Sequence, residues 1–191
     1  LTATTASAQV GQPFIHDPST LAECDGKWFT FGTGQGGLVS VDGGYTWASY
    51  YQKGDEQIRA NRPGGGAAPD VIKIGDRYLV AYGATGGGLG GSHSGRMLTM
   101  WNKTLDPAHP DFKYSDPVEV AKSVDGDDFD CIDPSLFLDP TTGRLWLTCG
   151  TYFGEIRLFE LDPKTGARVA GNKEVTVAID CEASALIYKD G

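Results

Sequence analysis

The chain has 191 residues, 40% of them hydrophobic, and a net charge of −9, which is ordinary globular composition with material for one sizeable core. The acidic balance excludes a nucleic-acid backbone or an anionic membrane surface as partner, and no apolar run approaches a bilayer span. A neutral ligand such as a sugar fits that balance.

The opening LTATTASAQVGQ reads as a tail over residues 1–13, of the kind left when a leader is removed, and points to a secreted or periplasmic protein. One domain is predicted over 14–191. Its first repeat opens with His16-Asp17-Pro18-Ser19-Thr20, turns at Cys24-Asp25-Gly26-Lys27 and ends in the strand-like run Trp28-Phe29-Thr30-Phe31-Gly32. Ser40 to Trp47 matches S-x-D-x-G-x-T-W, the Asp-box of propeller hairpins: aspartate and serine bond the turn backbone, and tryptophan packs the edge. That signal is structural. Gly32, Gly34, Gly37 and Gly86, Gly88, Gly91 match G-x-G-x-x-G literally, but strand-like sequence follows each where a dinucleotide site needs a helix.

A second repeat starts at Ala68-Pro69-Asp70-Val71 and ends in Arg77-Tyr78-Leu79-Val80-Ala81-Tyr82-Gly83. Long loops are predicted over 51–67, 85–95 and 102–130, where they could wall a cleft. Within the last, Asp125, Asp127, Asp128 and Asp130 suggest calcium, yet Phe129 breaks the EF-hand pattern and a solvated loop is the simpler account. The third repeat opens with Ile132-Asp133-Pro134-Ser135 and gives three apolar runs, LFL, RLWLTCG and IRLFEL, separated by turns. A fourth begins at Glu182-Ala183-Ser184 and reaches the turn Lys189-Asp190-Gly191.

From Pro18 to Gly32 is 14 residues, from Pro69 to Gly83 is 14, and from Pro134 to Gly150 is 16. Short strands repeating at that scale predict an all-β propeller, of which this chain supplies about three blades and the first strand of a fourth. In register, Asp17, Asp133 and Glu182 fall near the starts of their blades, where innermost strands converge on the central channel. Proline is expected to hold the preceding aspartates extended. Converging carboxylates repel and raise the proton affinity of at least one of them, so that one acid stays protonated while a base is ionised, as glycosidic cleavage requires. Cys24, Cys131, Cys149 and Cys181 lack C-x-x-C spacing, which argues against zinc. A cross-blade disulfide between Cys131 and Cys181 stays open beside the simpler reading of buried thiols.

His16-Asp17-Pro18-Ser19, Ala68-Pro69-Asp70-Val71, Ile132-Asp133-Pro134-Ser135 with Gly150-Thr151-Tyr152-Phe153-Gly154, and Cys181-Glu182-Ala183 together resemble the successive motifs of glycoside hydrolase family 43. These are five-bladed propellers that include arabinanases, arabinofuranosidases and xylosidases, and the third motif resembles the arabinanases most. The resemblance implies an inverting hydrolase of α-L-arabinofuranosyl linkages, with Asp17 as general base, Glu182 as general acid and Asp133 tuning the acid and orienting the sugar. His16 and Asp130 beside the motifs are implied substrate contacts. So are Tyr152 and Trp101, which would replace an aromatic the family carries where this chain has Gly66 and Ala67.

No cofactor is implied, although a structural calcium in the central channel is compatible with the family. The implied partners are an oligo- or polysaccharide and a second polypeptide completing the five-bladed ring. The alternatives are a β-xylosidase or galactan-acting specificity and a non-catalytic carbohydrate-binding propeller. A fructan hydrolase lacks support because its tryptophan-asparagine opening is absent. A sialidase would need an arginine cluster that Arg59, Arg62, Arg77 and Arg96 do not match.

Overall fold

The computed structural model describes residues 14–33, 36–50, 66–85 and 93–189. The predicted tail over 1–13, the loop segments 51–65 and 86–92, Gly34 and the turn at Asp190-Gly191 lie outside them. Among the described residues, twelve strands form three four-stranded antiparallel sheets, each in sequence order. The first holds β1 (Ala22–Cys24), β2 (Lys27–Phe31), β3 (Gly37–Ser40) and β4 (Ala48–Tyr50). The second holds β5 (Gly66–Ile74), β6 (Arg77–Thr85), β7 (Gly95–Asn102) and β8 (Val118–Ser123). The third holds β9 (Ser135–Leu138), β10 (Leu145–Gly150), β11 (Glu155–Leu161) and β12 (Val175–Ile179). These are propeller blades, and the meander read from LFL, RLWLTCG and IRLFEL is β9, β10 and β11. The long loop expected over 102–130 is interrupted by β8, whose VEVAKS sequence carries little apolar signal because most of it is partly exposed.

The core lies between blades. Along β6, Tyr78, Val80 and Tyr82 pack with Phe29 and Phe31 of the first blade. Leu79 and Ala81 pack with Leu136, Leu145 and Leu147 of the third. A strand buried on both faces reads as a continuous apolar run, which is why RYLVAYG shows no alternation. Each fully buried Leu-sized side chain contributes about 1.5–3 kcal/mol. Where blades meet closely there is no room for a Cβ: one placed on Gly83 would stand 2.5 Å from the Cys131 carbonyl oxygen.

The outer hairpins follow their sequence signals. Asp25 (φ 52°) and Gly26 (φ 76°) are both left-handed, as an Asp-Gly turn between β1 and β2 requires. In the Asp-box, the Gly44 amide donates to Ser40 Oγ at 2.9 Å, the Thr46 amide to Asp42 Oδ1 at 2.8 Å, and Trp47 Nε1 to the Gly44 carbonyl at 3.0 Å. All four cysteines are free thiols, so the Cys131–Cys181 disulfide does not form. The segment after Cys181 carries no strand through Lys189, in place of the fourth-blade strand expected there. Its Ser184 hydroxyl donates to Thr148 Oγ1 at 2.9 Å.

Candidate active site

Four chain segments meet at one open pocket of about 350 Å³. Its wall is built from Asp17-Pro18-Ser19-Thr20, Ala68-Pro69-Asp70, Asp133-Pro134-Ser135 and Ala183-Ser184-Ala185. Each segment begins with a residue in the left-handed region: Asp17 at φ 51°, Ala68 at 40°, Asp133 at 52° and Ala183 at 55°. The expectation that proline keeps Asp17 and Asp133 extended is therefore wrong. Proline only disfavours the right-handed helical region for its predecessor, and aspartate is among the residues that enter the left-handed region most readily. In the first and third repeats that bend turns the chain toward the innermost strand, β1 or β9. Strain of this kind collects at functional sites.

The shared bend also corrects the register. Ala183, not Glu182, is the counterpart of Asp17 and Asp133, so Glu182 occupies the place held by His16 and Ile132. Glu182 thus stands one residue before the segment that lines the pocket, and its charge is felt at Asp133.

The three predicted carboxylates are brought together electrostatically. Asp133 is pushed up to about 6 by burial first, then by the negative charges of Asp17 and Glu182. Asp17 is exposed at the mouth, with His16 Nε2 3.5 Å from its Oδ1. The backbone around both aspartates is pinned in parallel fashion. The Thr33 amide donates to the His16 carbonyl at 2.9 Å, and the Gly150 amide to the Ile132 carbonyl at 2.9 Å.

The expected sugar contacts divide. Tyr152 stands half exposed, edge to face with Phe153 at 5.6 Å, on the loop that follows Gly150, and is not itself part of the pocket wall. Asp130 is not on the wall: it is buried, accepts from the Ser123 hydroxyl at 3.3 Å, and burial pushes its carboxyl up. Trp101 is not there either. Its indole donates to the Thr165 carbonyl at 2.9 Å and is covered by the Arg77 guanidinium at 3.8 Å, packing the second blade on the third. Among the described residues no group of three or more His, Cys, Asp or Glu is arranged to hold a metal ion.

Sequence reasoning missed Asp70. It is 4% exposed, and its two oxygens accept amides from two other segments: Thr20 at 2.9 Å on Oδ1 and Leu136 at 2.7 Å on Oδ2. The available signal was its place two residues after the bend, shared with Ser19 and Ser135.

A family model, glycosyl hydrolases family 43, matches residues 45–191. The chain is 31% identical over 156 residues to the extracellular exo-α-(1→5)-L-arabinofuranosidase ArbA of Cellvibrio japonicus, covering 78% of this chain and 44% of that protein. It is 27% identical over 186 residues to a probable arabinan endo-1,5-α-L-arabinosidase A of Aspergillus flavus, covering 93% of this chain and 55% of the relative. The chain spans about half the length of the curated relatives it matches. Among solved structures, an endo-arabinanase from Bacillus licheniformis superposes with TM-score 0.76 at 26% identity, over 96% of this chain and 65% of the other. An exo-1,5-α-L-arabinanase from a bovine ruminal metagenomic library gives 0.68 at 30%, over 87% and 56%. The fold is accordingly that of the five-bladed propellers.

Proposed function

The chain belongs to the glycosyl hydrolases of family 43, and from that premise we propose that the protein hydrolyses α-L-arabinofuranosyl linkages of arabinan with inversion at the anomeric carbon. The observation that carries the reading is the convergence of acids from three repeats, which holds Asp133 near 6 through burial and the charges of Asp17 and Glu182. The exo- and endo-acting arabinan enzymes among its relatives support the substrate class.

In this reading Asp17, exposed beside His16, takes a proton from water as the water oxygen bonds to the anomeric carbon. Glu182 gives its proton to the glycosidic oxygen as that carbon–oxygen bond breaks. Asp133 touches neither proton. It orients the sugar, and its charge state acts on Glu182. Tyr152 and Phe153, exposed on the loop after Gly150, offer an aromatic surface for a sugar face. Secretion belongs to the same proposal, supported by the extracellular Cellvibrio relative. Val175, Val177 and Ile179 stand exposed along β12, which suits a further blade packed on that face, whichever polypeptide supplies it.

Incubation of the full-length protein with linear 1,5-arabinan, followed from the first turnover by proton NMR, tests the proposal. Release of arabinose or arabino-oligosaccharides with the inverted anomer formed first is expected. A retained first anomer overturns the mechanism, and release from xylan or galactan alone overturns the substrate class.

A further inference from the structure

Both Asp17 and Asp133 are followed by proline, and in each case the third residue onward gives its amide to the same carboxylate. Thr20 donates to Asp70 Oδ1 at 2.9 Å, and Leu136 to Asp70 Oδ2 at 2.7 Å. Thr20 leads into the innermost strand of the first blade and Leu136 belongs to that of the third. Asp70 lies on the innermost strand of the second, packed against both neighbours. One side chain therefore fastens the roots of two acids that are far apart in sequence.

Little freedom remains between each fastened amide and its acid. Pro18 and Pro134 have fixed φ. The Ser19 amide donates to the Phe31 carbonyl at 2.8 Å, and Ser135 pairs with Thr148 in the β9–β10 ladder. On the far side of each acid, the His16 and Ile132 carbonyls are held by Thr33 and Gly150. The position of Asp70 then fixes where both carboxylates start.

We propose that Asp70 is a positioning residue of the active site, setting the separation of Asp17 and Asp133 by accepting the Thr20 and Leu136 amides at once. It is not a catalytic residue, since both its oxygens are engaged by backbone donors, from Thr20 and Leu136, although it lies on the pocket wall. The task calls for a carboxylate. Two amides arriving from opposite sides need two acceptor oxygens, and asparagine would turn an N–H toward one of them. Burial pushes the Asp70 carboxyl up while the two amides work against that shift.

The inference rests on the hydrolase reading, so the test includes a readout that needs no turnover. In the full-length protein, Asp70→Asn is compared with wild type and with Tyr78→Phe. The latter removes another bond between the first two blades, from the Tyr78 hydroxyl to the Glu23 carbonyl at 2.7 Å, away from the pocket. A misplacement of about 1 Å costs on the order of 100-fold in rate. Asp70→Asn should therefore lose about that much kcat on arabinan with KM within about twofold, while Tyr78→Phe loses stability but not kcat.

The second readout is the carboxyl carbon-13 titration of Asp133. It should move down from about 6 in Asp70→Asn, because a loosened pocket admits water and separates Asp133 from Asp17. An unmoved Asp133 titration together with unchanged kcat reduces Asp70 to an inter-blade staple and overturns the proposal. Inactive wild type with a shifted Asp133 in the variant overturns the hydrolase reading and leaves the positioning role standing. If Asp70→Asn does not fold, wild-type amide exchange decides: slow exchange at both Thr20 and Leu136 supports the clamp, and fast exchange at either one removes it.

Discussion

Aspartates at the two ends of the blades behave in opposite ways. At the outer turns, Asp139 accepts from the amide and hydroxyl of Thr141 and from the hydroxyl of Thr142, and these bonds hold its carboxyl down at about 2. Asp42 is lowered in the same way by the hydroxyl and amide of Thr46. At the pocket end, burial and neighbouring acids push Asp133 up to about 6. The residue type is constant; access to water and the company of other acids decide whether the side chain braces a turn or stands ready for proton chemistry.

The largest effect should come from breaking the pocket end directly. Asp17→Ala removes the proposed base and should lower kcat on arabinan by about 10²–10⁴-fold, with the fold retained, since Asp17 is exposed and makes no contact within the core. Glu182→Gln should lose a similar factor on arabinan but far less on an aryl arabinofuranoside, whose leaving group departs without a proton. Equal losses on both substrates, measured as kcat/KM, would show that Glu182 is not the acid.

A smaller loss should follow from moving the pocket without touching an acid. A methyl on Gly83 would meet the Cys131 carbonyl at 2.5 Å, and Cys131 leads through Ile132 to Asp133. Gly83→Ala should cost about 1–3 kcal/mol as an overpacked contact, lower the unfolding midpoint by several degrees and reduce kcat. An unchanged midpoint would mean the blades part without strain.

What was legible in the sequence follows the same division. The outer turns are written locally: Asp42 and Thr46, or Asp139 and Thr142, are a few residues apart, and their bonds could be anticipated from spacing alone. The blades were legible because each proline-to-glycine interval repeats, and Asp17 and Asp133 because each precedes proline at the same place in its repeat. The Asp70 bonds span 50 and 66 residues, so no local pattern announced them. The one-residue offset of Glu182 was hidden because the left-handed bend, visible as Asp-Pro in two repeats, is Ala183-Ser184 in the fourth. Trp101 was misassigned because an indole suits sugar stacking and inter-blade packing equally well, and only its partners Arg77 and Thr165 tell them apart.

A pH series sharpens the contrast through stability. The folded value of Asp133, about 6, lies above that of an unfolded aspartate, about 3.9. Its contribution is then fully present below about pH 4 and lost as pH rises through 6. Asp133→Asn, which cannot ionise, should be more heat-stable than wild type above pH 6 by about 2 °C. The difference should shrink toward zero at pH 4. A gap independent of pH would mean that packing, not charge, separates the two proteins.

The smallest effect on activity should come from the opposite end. Asp139 is lowered, so its stabilising share is present above about pH 4 and lost only as pH falls through about 2. Asp139→Asn keeps one acceptor oxygen for Thr141 or Thr142 and loses the charge that strengthens both bonds. It should lower the unfolding midpoint by about 2 °C or less at neutral pH and leave kcat on arabinan unchanged. The turn it braces joins the far end of β9 to β10, so any displacement would have to pass along a strand whose pocket end is fixed at Leu136 by Asp70 and at Ile132 by Gly150. A fall in kcat with Asp139→Asn would show that those two anchors do not isolate the acids from the rim. It would move the positioning of Asp133 from the channel-side clamp to the blade as a whole.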